Sequence, residues 1–264
     1  MLLEESRLKL DVFSSFKLGG RVALVTGASR GFGEVIASAL AEAGAAVALV
    51  ARSESVYRIA NELTDEHGVS CKGYQCDVSS EDAVTKLIAE IIKDFNGLHI
   101  VVNNAGINTR GSIENLELDQ FQEVQDTNIT SMWLICRAIA RYFKEQQYGR
   151  VLNIGSLLSV LGMAGRTPYA VSKGGVLQLT RVLAVEWASY GITVNCLIPG
   201  VFGTEMNRVL LDDPKNFQKM TSSIPLGRWG EPEEIAGISL FLASDASSYV
   251  TGAAMTIDGG WSVH

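Results

Sequence analysis

A chain of 264 residues, 47% hydrophobic and 19% charged, can bury a large core and suits one α/β domain. A formal net charge of -7 argues against nucleic acid and anionic membranes as partners. The four cysteines, Cys71, Cys76, Cys136 and Cys196, form no C-x-x-C pair, and His67, His99 and His264 lack ligand spacing. Free thiols are therefore expected, with no metal site and no Ser/His/Asp triad.

Residues 1–19 read as a short arm held down by Phe13, Phe16 and Leu18. Its first residues lack the basic and apolar blocks of a leader, and no run approaches the 18 or so apolar residues of a membrane span, so a cytoplasmic location is expected. From residue 20 onward strands and helices alternate. Val22–Val25 is a compact apolar run, as a strand covered on both faces should be. It leads into Thr26-Gly27-Ala28-Ser29-Arg30-Gly31-Phe32-Gly33. Val35, Ile36, Ala39, Leu40 and Ala43 then recur at helical spacing until Gly44. A strand follows over Ala46–Ala51, a helix over about 54–67, a strand over about 70–76 and a helix over about 80–95.

His99–Val102 is the fourth strand and ends in Asn103-Asn104-Ala105-Gly106. A long helical region covers about 117–147, interrupted near Thr127-Asn128. Arg150–Ile154 is the fifth strand, and a helix runs from about 167 to 190. Thr193–Ile198 is the sixth strand. A polar segment, about 201–224, breaks the rhythm before a helix over about 232–243 and a last strand over Ala254–Ile257. Strict alternation predicts a single α/β domain over 20–264: a doubly wound parallel sheet of seven strands with helices on both faces.

In such a sheet the first strand–helix turn is the natural phosphate site, because backbone N–H groups and the helix dipole both favour an anion there. Gly27, Gly31 and Gly33 let the backbone approach a pyrophosphate, although their spacing is G-x-x-x-G-x-G. The end of the second strand selects the dinucleotide. An acid there would bind a ribose 2′-hydroxyl. This chain has Ala51-Arg52-Ser53 instead, and Arg52 with Arg30 offers two guanidinium groups to a 2′-phosphate. NADP(H) is expected in preference to NAD(H). The alternative is that both arginines are solvated, with Glu54 neutralising Arg52.

Tyr169-Ala170-Val171-Ser172-Lys173 puts a phenol and an ammonium one turn apart on a helix that Pro168 suits and Thr167 can cap. A nearby cation favours a phenolate, so Tyr169 can serve as a proton donor and acceptor. Taken alone, the pair fits a buried aromatic beside a solvated lysine better.

In combination, TGASRGFG at 26–33, NNAG at 103–106, Asn128, Ser156, YAVSK at 169–173 and the PG at 199–200 resemble the short-chain dehydrogenase/reductase family, a Rossmann-fold group, over about residues 18–261. The resemblance implies that Tyr169 is the general acid in carbonyl reduction and the base in alcohol oxidation. It implies that Lys173 holds the nicotinamide ribose and lowers the tyrosine's pKa, that Ser156 positions the substrate oxygen, and that Asn128 holds a water linking Lys173 to solvent. Ser29, Arg30, Gly31, Phe32 and Gly33 would border the cofactor phosphates. Asp77 and Val78 would lie by the adenine, with Asn104, Ala105 and Gly106 beside the cofactor. Pro199, Gly200 and Val201 would follow at the nicotinamide end, where Thr204 would bind the carboxamide. Two departures stand out: Phe32, where a smaller aliphatic is usual, and Gly155, where a serine is common before the catalytic serine.

A small carbonyl or alcohol substrate should contact loop 157–167 and segment 201–224, with Ser156, Leu158, Met163, Tyr169 and Phe202 as contacts and Arg166 among the neighbouring charges. The segment Pro225–Pro232 and the arm resemble the gluconate 5-dehydrogenase-like branch acting on sugar acids or polyols, and also occur among 3-oxoacyl thioester reductase relatives. The reading of another class is a cofactor-binding regulatory protein without catalysis. The resemblance further implies a homotetramer, built on the long helices and the last strand with Trp261.

Overall fold

The computed structural model describes residues 11–208 and 212–263. Residues 1–10 of the expected arm and 209–211 of the expected substrate segment lie outside the described residues. Seven strands form one sheet: β1 Val22–Thr26, β2 Ala46–Ala51, β3 Cys71–Gln75, β4 Ile100–Asn103, β5 Gly149–Ile154, β6 Ile192–Pro199 and β7 Ala254–Ile257. All pairings are parallel, in the order β3-β2-β1-β4-β5-β6-β7. The helices are α1 Gly31–Glu42, α2 Ser55–His67, α3 Glu81–Phe95, α4 Leu118–Gln125, α5 Ser131–Gln146, α6 Thr167–Trp187, α7 Pro214–Thr221 and α8 Ala236–Ala243.

The central strands are buried along their whole length because helices cover both faces. Successive residues of β1 point to opposite cores. Ala23 and Val25 pack with Ile36, Leu40, Ile59 and Leu242 from α1, α2 and α8. Val22 and Leu24 pack with Leu87, Ile91, Ile139, Phe143 and Trp187 from α3, α5 and α6. A third, smaller cluster of Met132, Leu157, Val176, Leu177, Cys196 and Ile198 joins α5 and α6 to β6.

Several boundaries differ from the pattern in the sequence. The interruption in the long helix is a π-helical turn, Asp126–Thr130, between α4 and α5, and it carries Asn128. Thr167 does not cap α6: it is the first helical residue, after Arg166, and no side chain caps this end. The expected helix over 232–243 is a 3-10 turn, Pro232–Ile235, followed by α8. Segment 201–224 is not wholly irregular, since it contains α7 and a 3-10 turn, Glu205–Asn207.

The arm is pinned by fewer residues than expected. Leu18 is buried, and its N–H donates to Ala43 O at 2.8 Å. Phe16 lies 6.3 Å from Phe241 between ring centres. Phe13 is 85% exposed and does not pin the arm onto the described residues.

The chain runs outward from β1 to β3 and then crosses back to β4. The carboxyl ends of β1 and β4 therefore flank the crevice where an open α/β sheet binds its ligand.

Candidate active site

A cleft of 770 Å³ opens at those carboxyl ends, in the size range of small-molecule sites. Its floor is made by the exits of β1 to β6.

Thr26 and Asn104 stitch the first exit to the fourth. Thr26 Oγ1 accepts from Asn104 N and Ala105 N, each at 3.0 Å, while Asn104 Nδ2 donates to Thr26 O at 3.0 Å and Gly27 O at 3.2 Å. A Cβ on Gly33 would stand 2.2 Å from Gly27 O, so this glycine exists for the close packing of α1 on the loop. Gly31 is different. It has φ +57 and open space where a Cβ would be, at the start of α1, and Arg30 before it places no side-chain acceptor on that helix end. The unfilled space and the uncapped N–H groups fit a pyrophosphate.

One end of the cleft is lined by Arg52, Ser53, Asp77, Val78 and Arg30. Arg30 pairs with Glu205 at 2.8 Å, across from the segment after β6. Among the described residues Arg52 makes no ion pair, with Glu54 or otherwise; its positive charge acts on Asp77. Asp77 itself is held below the usual carboxylate range chiefly by hydrogen bonds from the Ser79 hydroxyl and N–H.

The other end gathers Ser156, Tyr169 and Lys173. Ser156 leaves β5 and caps the short turn behind it, its Oγ accepting from Leu158 N at 3.2 Å. Lys173 is 3% exposed, donates to Ile154 O at 2.7 Å, and lies 5.6 Å from the Tyr169 ring centre. Burial pulls its ammonium down to about 8. At neutral pH it is therefore still largely a cation.

Burial pushes the Tyr169 phenol up; a hydrogen bond from Ser156 and the charge of Arg166 oppose that rise. The expected lever on this phenol was Lys173. Arg166, three residues earlier, is a further cation acting on it, while Lys173, 5.6 Å from the ring centre, also bonds a β5 carbonyl.

A family model described as enoyl-(acyl carrier protein) reductase matches residues 27–262. The chain is 40% identical over 252 residues to the 2-dehydro-3-deoxy-D-gluconate 5-dehydrogenase of Pseudoalteromonas atlantica, covering 95% of this chain and 99% of that one. It is 38% identical over 243 residues to the 3-oxoacyl-[acyl-carrier-protein] reductase of Vibrio cholerae, covering 92% and 98%. The chain belongs to the short-chain dehydrogenase/reductase family. The crystal structure of a gluconate 5-dehydrogenase from Burkholderia cenocepacia, in complex with NADP and tartrate, is 36% identical and superposes with a TM-score of 0.93 over 96% of this chain and 100% of that one.

This short-chain dehydrogenase/reductase is thus an oxidoreductase of the Rossmann type. Most of the residues singled out from its sequence line the one cleft: Gly27, Ser29, Arg30, Gly31, Phe32, Arg52, Asp77, Val78, Asn104, Ala105 and Gly106, then Ser156, Leu158, Met163, Tyr169 and Lys173, then Pro199, Gly200, Val201 and Thr204. Three do not. Gly33 packs behind the loop, as described above. Asn128 is fully buried beneath the cleft. Phe202, expected at the substrate, is 2% exposed and packs edge-to-face on Phe32 at 5.0 Å. The bulky Phe32 thus has a partner in the same chain and holds the start of the substrate segment. Gly155 is likewise a packing requirement, since a Cβ there would lie 2.8 Å from Cys196 Sγ.

Asn108 and Arg110 on the β4 exit loop were not singled out from the sequence, and Trp261, expected at a subunit surface, lines the cleft as well. The available signal was position: the exit loop of any strand in a doubly wound sheet faces the ligand.

Proposed function

We propose that this oxidoreductase uses NADP(H) in preference to NAD(H) and interconverts a carbonyl and a secondary alcohol on a sugar acid or polyol. The carrying observation is the polarity of the cleft: Arg30 and Arg52 at one end, Ser156, Tyr169 and Lys173 at the other, with the uncapped α1 start between them. NADP in the Burkholderia cenocepacia structure and the sugar-acid names of the relatives support the reading.

The Gly27–Phe32 loop would hold the pyrophosphate, Arg30 and Arg52 the 2′-phosphate, and Lys173 the nicotinamide ribose. When bound, the cofactor supplies or accepts the hydride. The remaining chemistry belongs to side chains. Ser156 donates a hydrogen bond that fixes the substrate oxygen. Tyr169 gives that oxygen a proton during reduction and removes it during oxidation. A phenol has an ordinary pKa near 10, so its cations set how readily the phenolate forms near neutrality.

The Vibrio cholerae relative favours a second reading, reduction of a 3-oxoacyl thioester. NADPH and NADH oxidation followed spectrophotometrically against 5-ketogluconate, neutral ketoses, 3-oxoacyl thioesters and cyclic ketones separates the two. Cofactor binding without turnover on any carbonyl would instead favour a regulatory protein. A homotetramer goes with the proposal, supported by exposed Val182 and Val185 on α6 and Trp133 on α5. Unpaired thiols at all four cysteines support a cytoplasmic location. Among the described residues, no helix is long and apolar enough to cross a membrane.

A further inference from the structure

The four arginines of the cleft lie in two groups. Arg30 and Arg52 belong to the nucleotide end. Arg110 and Arg166 stand at the end that holds Ser156 and Tyr169, and the reaction described above gives them no role. Arg110 lies on the exit loop of β4, and Arg166 immediately precedes α6. A backbone hydrogen bond brings them together: Gly111 N donates to Gly165 O at 3.1 Å, joining the residue after Arg110 to the residue before Arg166. Gly165 takes φ +70 at this junction, a conformation that glycine adopts without strain.

The charge of this pair is unanswered among the described residues. Among the described residues neither arginine has a carboxylate within 4.0 Å, and Arg110 reaches only Met206 O, at 3.5 Å. Eight of the ten other described arginines have a carboxylate partner, even where water would screen them; Arg52 and Arg181 do not. Arg58 meets Glu62, Arg141 meets Glu145, Arg137 meets Glu81 and Arg228 meets Glu234. Arg166 is half-buried, and burial together with the neighbouring Arg110 depresses its pKa. Like charges side by side, one of them half-buried, destabilise each other, and a structural pair would be expected to have an acid between them.

A second observation concerns the same loop. Asn108, also on the cleft wall, has its Oδ1 buried with no hydrogen-bond partner. A buried acceptor without a donor costs free energy, and a ligand hydroxyl would satisfy it.

We propose that Arg110 and Arg166 form a clamp for a carboxylate on the substrate, with Asn108 accepting a hydrogen bond from one of its hydroxyl groups, so that this site selects hydroxy-acid and keto-acid anions over neutral carbonyl compounds. The proposal rests on the oxidoreductase reading and sharpens its substrate class. Guanidinium groups hold carboxylates through paired, charge-assisted hydrogen bonds, which suits two arginines converging from different loops. The same anion would act on the chemistry. Arg166 pulls the Tyr169 phenol down, so a carboxylate neutralising Arg166 returns the phenol toward the protonated form that carbonyl reduction requires.

The test compares D-gluconate with D-sorbitol, which has a CH2OH in place of the carboxylate, binding by calorimetry to the NADPH-loaded full chain. Wild type is expected to bind gluconate at least about tenfold more tightly. Arg110→Gln and Arg166→Gln should each weaken gluconate about tenfold while moving sorbitol less than twofold, and Arg166→Lys should restore part of the loss. Equal binding of the two ligands by wild type, or equal loss of both in the variants, overturns the clamp. If a variant fails to fold, salt decides on the wild type: gluconate affinity must fall, and sorbitol affinity must not, as sodium chloride is raised. Turnover on a neutral ketone reads the parent assignment separately. Its absence on every carbonyl tried would sink the oxidoreductase reading but not the gluconate–sorbitol contrast.

Discussion

Ser172 Oγ accepts a hydrogen bond from Asn128 Nδ2 at 3.0 Å and donates one to Tyr169 O at 2.7 Å. Asn128 also bonds both backbone groups of Ile107, its Oδ1 accepting at 2.8 Å and its Nδ2 donating at 2.9 Å. One buried amide thereby locks the exit of β4, the π-helical turn and the first turn of α6 together. The Asn128 side chain is thus engaged by protein groups and reaches the Tyr169 backbone through Ser172.

Ser172→Ala should therefore loosen the tyrosine without touching substrate. It leaves one N–H of Asn128 buried and unpaired, at a cost of about 1–3 kcal/mol. The expected outcome is a Tm several degrees lower and a kcat reduced several-fold, with the Kd for NADPH little changed. Thermal melts and steady-state kinetics check it; an unaltered Tm would show that the network is dispensable.

Tyr169→Phe removes the hydroxyl proposed to give the substrate oxygen its proton. Turnover should drop by about 10²–10⁴-fold, the usual contribution of a positioned acid, while fluorescence titration still shows NADPH bound. Full activity in this variant would sink the proposed mechanism.

Arg52→Asp replaces a cation at the nucleotide end by an anion. The NADPH-to-NADH ratio of kcat/KM should fall by about tenfold or more, given what charge-assisted hydrogen bonds contribute. An unchanged ratio would refute the 2′-phosphate assignment.

Glu205→Gln tests the opposite sign at the same place. Glu205 pairs with Arg30 at 2.8 Å in an exposed setting, an interaction of about 0.2–1 kcal/mol. Removing it releases the guanidinium for a phosphate, so NADPH should bind up to about fivefold more tightly and NADH should not. Equal changes for both would dissociate this pair from cofactor choice.

His99 makes folding sensitive to mild acid. Its Nδ1 accepts from Val22 N at 3.0 Å, and burial, reinforced by Arg21, holds its pKa below the ordinary 6.5. Above pH 6.5 neither the folded nor the unfolded chain protonates it. As pH falls below 6.5 the unfolded chain takes up the proton and the folded chain resists, so stability is lost progressively until the folded pKa is passed. Urea midpoints should decline between pH 7 and pH 5.5, and the decline should be shallower in His99→Gln. Parallel slopes in the two proteins would rule His99 out.

The alternation of elements was legible because apolar runs of strand length separated by helical spacing have few other solutions than a doubly wound parallel sheet. The break near Asn128 was legible too, although its form as a π-helical turn was not. The start of α6 fell where it was expected, while a boundary drifted beside Pro232, where a 3-10 turn replaced α-helix. Phe202 was misread because its short-range context, a polar segment after β6, says nothing of the aromatic ring of Phe32 that receives it.

By itself the sequence determined the layer architecture and the order of strands and helices. It also picked out the glycine turn, because glycine conformation is a local property of the chain, and the Ser156, Tyr169 and Lys173 set through the family resemblance of its motifs. Tertiary structure alone decided which charges meet. Arg110 and Arg166 are far apart in the sequence and share no motif; the Gly111–Gly165 hydrogen bond places them at one mouth. Electrostatic fields depend on distance through space, and that distance exists only once the β4 exit loop and the start of α6 have closed over the same strand ends.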